Sequence, residues 1–228
     1  MRIKHKTDDS FDGNIFWITM TDLMTGLVLV FVVLFFYYFV QNNINTVQQN
    51  IAKEQATKIL QENLQKQNIT ATIEPGSGVV KISDLELFEV NSYVLSDKGK
   101  KYLDKFAPAY LDSIFNNKIL AENTEKIIIQ GHTDSQTFIG KFSADQQYMK
   151  NMELSLNRAF TVANYMTNTP YNKINGDKLR KMIIVEGASF SNPILVNGKE
   201  DYAKSRRVEL KLVMKQEAKE KLEQTNQK

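Results

Sequence analysis

Apolar residues follow three different rhythms along the chain, and each predicts a different kind of element. The first is unbroken: residues 15–40 read IFWITMTDLMTGLVLVFVVLFFYYFV, and no residue from Leu23 to Val40 is charged. At about 1.5 Å per residue a helix over this stretch is roughly 39 Å long, enough to cross a hydrocarbon core of about 30 Å. Residues 41–68 are rich in Gln, Asn and Lys, with apolar residues at Ile44, Val47, Ile51, Ile59, Leu60 and Leu64. That three-to-four spacing predicts a helix with a thin apolar stripe, able to self-associate or to pack on the domain that follows. The rhythm then shortens to two. Ile69–Glu74 and Val79–Ser83 alternate around Pro75-Gly76-Ser77-Gly78, a hairpin signal.

From there strands and helices alternate. Ser96 is placed to cap a helix whose apolar face carries Tyr102, Leu103, Phe106, Tyr110 and Leu111. Lys126–Gln130 contains three successive isoleucines, a buried strand. Residues 147–167 predict a second long helix with Met152, Leu156, Ala159, Val162, Ala163 and Met166 inward, and Met182–Val185 and Val208–Val213 two further strands. This order predicts an α/β sandwich over 69–214, with helices on one face of a mixed sheet. Residues 215–228 read as a polar, frayed helical tail. No internal repeat is visible.

One charge interrupts the apolar stretch. A carboxylate such as Asp22 costs roughly 2.5–3.5 kcal/mol in a spanning helix on insertion scales. Thr19, Asp22, Thr25 and Gly26 are three and four apart, so they make a polar, small stripe on one helix face. Leu29, Val30, Val33 and Phe36 continue it with apolar groups. A carboxyl group alternates between a neutral, protonated form and a charged form that holds a cation. Such a group inside a span points to a carrier of H⁺ or Na⁺, with Thr19 and Thr25 supporting the path. Two blander readings compete: Asp22 caps a shorter span over 23–40, or the stretch is a secretory signal. Signal h-regions run about 7–15 residues, and Gln41, Asn42 and Asn43 offer no small-residue cleavage site. An uncleaved anchor is expected.

Arg2, Lys4 and Lys6 precede the span, which puts residues 1–14 in the cytoplasm and residues 41–228 in the periplasm. Lys53 and Lys58 weaken that bias without reversing it. Phe16 and Trp17 at one end, and Tyr37 and Tyr38 at the other, read as two aromatic belts. A net charge of +3 on 228 residues, with no basic cluster interleaved with aromatics, makes no case for nucleic acid. The absence of cysteine excludes disulfides, thiolate metal sites and a cysteine nucleophile.

The densest candidate chemistry is Gly131-His132-Thr133-Asp134, directly after the isoleucine strand, where α/β sheets usually place ligands. Downstream come Asn151, the run Leu154-Ser155-Leu156-Asn157-Arg158-Ala159, and Ser205-Arg206-Arg207-Val208-Glu209. His132, one of two histidines, has no ligand set around it, so neither a metal nor a cofactor is expected. No Ser-His-Asp or paired-carboxylate arrangement stands out, and the chain reads as a non-enzyme.

These motifs carry a resemblance. GHTD at 131–134, N-x-x-L-S-x-x-R-A at 151–159 and S-R-R-V-E at 205–209 occur in the order found in OmpA C-terminal-like peptidoglycan-binding domains. The resemblance implies that Asp134 takes the ammonium and Arg158 the carboxylate of a stem-peptide diaminopimelate, a ligand bearing one group of each sign. Asn151 and Asn91 match further polar positions of that pocket, while Arg206 and Arg207 read as structural. Two departures stand out: Ser205 replaces the usual Asn, and the 135–150 loop is longer than usual and lacks a glycine close after GHTD. The anchor is similar to that of MotB-type stator subunits, where Trp17 to Thr25 match W-x-x-x-x-D-L-M-T. The short linker resembles more closely the ZorB-type subunits of the Zorya anti-phage system. This resemblance implies a homodimer tethered to peptidoglycan inside a ring of a multi-span MotA/ZorA-like partner, with Asp22 relaying ions. A flagellar stator subunit and a passive tether between inner membrane and wall are the alternatives.

Overall fold

The computed structural model describes residues 9–89, 91–169 and 176–215. The basic residues Arg2, Lys4 and Lys6, and nearly all of the expected polar tail, lie outside the described residues. The chain divides at Val47/Gln48 into two compact units.

The described residues of the first unit lie within helix α1 (Asp9–Lys66), one element where an anchor and a separate linker helix were expected. Its stretch Phe16–Ile44 is long and apolar enough to cross a membrane. Three threonines in it give their hydroxyls back to the helix. Thr19 Oγ1 donates to Phe16 O at 2.9 Å, Thr21 Oγ1 to Trp17 O at 2.6 Å and Thr25 Oγ1 to Thr21 O at 2.7 Å. Such back-bonding satisfies the polar atoms where lipid offers no partner. Asp22 is exposed on the helix surface, with Phe16, Trp17, Tyr37 and Tyr38 also exposed.

In the second unit the last turns of α1 bury Ala56, Leu60 and Leu64 in the core. Asn63 Nδ2 donates to Ser113 Oγ at 3.0 Å, so this end of the helix packs on the domain. Strands β1 (Thr72–Ile73) and β2 (Val80–Ser83) form the expected hairpin, narrower than its alternating pattern. A short helix α2 (Asp84–Leu87) follows, then α3 (Asp97–Phe115), capped by Ser96, whose hydroxyl accepts from Gly99 N. Helix α4 (Lys118–Asn123) leads into β3 (Thr124–His132). Helix α5 (Ala144–Asn168) is followed by α6 (Gly176–Met182), β4 (Ile183–Gly187), a small hairpin of β5 (Leu195–Val196) and β6 (Lys199–Glu200), α7 (Tyr202–Ser205) and β7 (Arg207–Met214).

The main sheet has the order β1-β2-β7-β3-β4, with β3 and β4 parallel and the other neighbours antiparallel. Period-two alternation gives it two unlike faces. Val80, Ile82, Ile127, Ile129, Val208, Leu210 and Leu212 are buried in the core cluster with residues of α1, α3 and α5. The other face is a polar ladder: Lys211 Nζ donates to Gln130 Oε1 at 2.6 Å, and Gln130 Nε2 donates to Glu186 Oε2 at 2.8 Å. The fold is therefore a mixed sheet with its helices on one face.

Two details differ from the pattern. Helix α5 starts at Ala144, not 147, because Ser143 and Gln146 form a reciprocal capping box. Leu156, expected inward, is 44% exposed. The buried arc of α5 is Asn151, Ser155, Arg158, Ala159, Val162, Ala163 and Met166, and Leu156 lies off that arc beside Gly187, which has no side chain to cover it.

Candidate functional site

The three sequence motifs meet at the end of β3: β7 pairs with it through Gly131 and His132, and one serine ties α5 to the turn after β4. Gly131 allows α5 to lie on the strand, since a Cβ there would sit 2.0 Å from Ser155 O. The Ser155 hydroxyl donates to Met152 O at 2.8 Å and accepts from Ser189 N at 3.0 Å. Ser189 O in turn accepts from Thr133 N at 2.9 Å, and Ala188 N donates to Gly131 O at 2.9 Å. The residue after Thr133 is Asp134, so α5 and the turn after β4 together aim this carboxylate.

Asp134 and Arg158 line one cleft of about 690 Å³, together with Asn91, Thr133, Lys150, Asn151 and Arg206 and with Phe138, Ile139 and Phe142. All four residues expected at the pocket are in this cleft. Their charges alternate with two that the motifs did not mark for it. Arg206 Nη1 binds Asp134 Oδ2, and Arg206 Nε lies 3.5 Å from Asp84 Oδ2. Arg158 Nη1 lies 3.2 Å from the same Asp84 oxygen. Arg158 Nε also donates to Ser92 O at 3.0 Å, and its guanidinium lies 5.4 Å from the centroid of the Phe88 ring. The order Arg158–Asp84–Arg206–Asp134 is a chain of alternating signs, and three of its four residues, all but Arg206, are buried. Burial pushes the Asp84 carboxyl above its usual range against the pull of Arg158 and Arg206. Burial likewise lowers the Arg158 guanidinium, against the pull of Asp84.

Arg207 does read as structural. It is buried, its Nε donates to Glu209 Oε1 at 2.6 Å and its Nη1 to Ser205 O at 3.0 Å. Arg206, grouped with it from sequence, belongs to the cleft wall instead. The signal for Asp84 was its place directly after β2; its backbone N donates to Arg206 O at 3.2 Å, which ties the two residues across the β2–β7 pair. Asn151 is buried and its Nδ2 donates to Gln147 O at 3.1 Å. Asn91 stands in the left-handed region at φ 54°, a conformation asparagine tolerates.

The model of the OmpA family matches residues 87–207, which hold every residue lining this cleft, while Asp84 of the charge chain lies just before them. The chain belongs to the OmpA family. The OmpA-family match is joined by relatives over nearly the full length. The chain is similar to Zorya protein ZorB of Escherichia coli, with 30% identity over 213 residues, 86% of this chain and 87% of that protein. A second Zorya protein ZorB, from Escherichia coli O139:H28, is 26% identical over 215 residues, 86% of this chain and 79% of that protein. Among solved structures, a putative MotB-like protein from Desulfovibrio vulgaris shares the fold, with a TM-score of 0.52 and 19% identity over 74% of this chain and 94% of that one.

Proposed function

We propose that this chain is the peptidoglycan-anchored, ZorB-type subunit of an ion-driven inner-membrane motor. One combination carries the reading: a membrane-length helix with a single carboxylate, Asp22, on the same chain as an OmpA-family cleft with Asp134 and Arg158 in its wall. The domain holds the cell wall through the diaminopimelate of a stem peptide, with Asp134 on its ammonium, Arg158 on its carboxylate and Asn151 and Asn91 on its polar groups. Two copies sit inside a ring of a MotA/ZorA-like multi-span partner, N-termini in the cytoplasm and domains in the periplasm. Asp22 then carries H⁺ between the two sides, with Thr19 and Thr25 beside it. Moving one elementary charge across about 100 mV releases about 2.3 kcal/mol, enough to drive a step of the partner around a fixed wall anchor. The similarity to Zorya protein ZorB supports a role in anti-phage defence over one in motility.

The test is Asp22→Asn in cells carrying the partner. Asn keeps the size and polarity of the side chain but carries no proton. Loss of protection against phage, with unchanged expression and membrane insertion, is the expected result. Full activity of the variant would leave a passive tether as the better description.

A further inference from the structure

The charges of the cleft do not balance. Arg158, Asp84, Arg206 and Asp134 compensate one another in their chain, and one cation is left over: Lys150. No carboxylate partner for it exists among the described residues. Its Nζ lies 4.5 Å from the centroid of the Phe142 ring and 5.9 Å from that of Phe138, so two aromatic faces hold the ammonium at the cleft wall. Both rings come from the 135–150 insertion, which is itself tied down. Gln147 Oε1 accepts from Phe138 N at 2.9 Å and its Nε2 donates to Phe138 O at 3.4 Å. Ser135 binds Glu200 through both its backbone N and its hydroxyl.

We propose that Lys150 is an additional anion subsite, which makes the cleft select a peptide with a carboxylate beyond the one held at Arg158. The inference rests on the wall-binding reading above and names the ligand more narrowly. A lysine already restrained by two rings loses little further freedom when it pairs, so its charge is spent on recognition rather than on ordering the side chain. The insertion that departs from the family pattern thereby acquires a purpose: it carries the rings that place this cation. A stem peptide with a free glutamyl α-carboxylate fits the subsite, and one with that group amidated does not.

Isothermal titration of the full-length chain in detergent micelles separates the cases. The probes are free meso-diaminopimelate, the tripeptide L-Ala-γ-D-Glu-meso-diaminopimelate with the carboxylate beside its γ-glutamyl amide blocked as the carboxamide, and that blocked tripeptide with its glutamyl α-carboxylate amidated as well. Each tripeptide thus keeps a single diaminopimelate carboxylate for Arg158, and the two differ in one anion. The acidic tripeptide is expected to bind about fivefold tighter than the amidated one, the upper range for an exposed ion pair, with the ratio shrinking in salt. Lys150→Gln should bring the ratio to about one and leave the affinity of the amidated tripeptide unchanged, while Lys150→Arg keeps most of the preference. A wild-type chain without the preference, or the same preference in Lys150→Gln, overturns the subsite and leaves the wall-binding reading intact. No binding of any probe overturns both.

Discussion

Arg206 binds Asp134 in the wall of the cleft, so the carboxylate proposed for the ligand's ammonium holds a guanidinium. On the proposed reading, an incoming ammonium shares Asp134 with Arg206 or displaces it; Arg206 and Arg158 both lie beside Asp84 Oδ2. Asp134→Ala and Arg158→Ala are each expected to abolish co-sedimentation of the protein with purified sacculi. Removing one partner of a desolvated charged pair costs about 2–5 kcal/mol, which lowers affinity by more than tenfold. Arg206→Ala should weaken sedimentation less, since it loses a carboxylate contact but also frees Asp134. Undiminished sedimentation of Asp134→Ala and Arg158→Ala would remove the pocket assignment.

Gly131 is where the sheet touches α5 most closely, and the close approach makes a stability prediction. A Cβ added there would meet Ser155 O at 2.0 Å, with backbone rather than a movable side chain in the way. Gly131→Ala should therefore destabilise the domain by about 3 kcal/mol, the upper end for overpacking. Thermal melts of the full chain should show a drop of roughly 6–12 °C. Gly176→Ala is the control: its Cβ would meet only the end of the Arg180 side chain, at 3.7 Å, and its melt should stay within about 0.5 kcal/mol of the parent.

How much of this was legible in sequence depended on how local each feature is. The Ser96 cap, the isoleucine strand and the hairpin around Pro75–Gly78 are set by neighbours a few residues apart, and all three stand where the pattern put them. The capping box at Ser143 and Gln146 was equally local, but the apolar periodicity of α5 becomes clear only later in the helix. Asp84 and Arg206 are different. Their meeting depends on β2 pairing with β7, a contact between distant parts of the chain that no short motif displays. Lys150 is ordinary in sequence and acquires meaning only from the two rings beneath it.

His132 makes stability depend on pH. It is buried, its Nε2 lies 3.4 Å from Glu209 Oε2, and neither ring nitrogen makes a well-aligned hydrogen bond. Burial holds its imidazole below the usual value; Arg207 and Lys211 act in the same direction and Glu209 against it. The unfolded chain therefore binds a proton near pH 6.5 that the folded chain does not. Stability is full above about pH 6.5 and falls as pH drops below it, by at most about 1.4 kcal/mol per pH unit. Glu209, held below the usual carboxylate range against its burial by His132 and Arg207, adds its own loss only at lower pH. Melts between pH 7.5 and 5.5 should show a Tm falling by a few degrees, and His132→Gln should flatten the slope. An unchanged slope would move the origin elsewhere.

The polar stripe of the membrane helix makes the last prediction. Thr19 and Thr25 return their hydroxyls to the helix, yet Asp22 has no such recourse and is exposed on the same face, with Gly26 open beside it. Carboxyl groups within membranes almost always face a bundle interior, and small residues let helices approach closely. We therefore expect this face to lie at a helix–helix interface, either between two copies of the chain or against the multi-span partner. Leu29, Val33 and Phe36 continue the face toward the other end of the span and should pack in the same contact. Cysteine scanning reads this cleanly because the chain has no cysteine of its own. Single cysteines from position 19 to position 36, in membranes that also contain the partner, should crosslink with a period near 3.6 residues and with maxima on the Asp22 face. Crosslinks between copies would put Asp22 in a homodimer seam, and crosslinks to the partner would put it against the ring. Uniform reactivity around the helix, or none at any position, would mean a lone anchor and would remove the basis for ion transfer through Asp22.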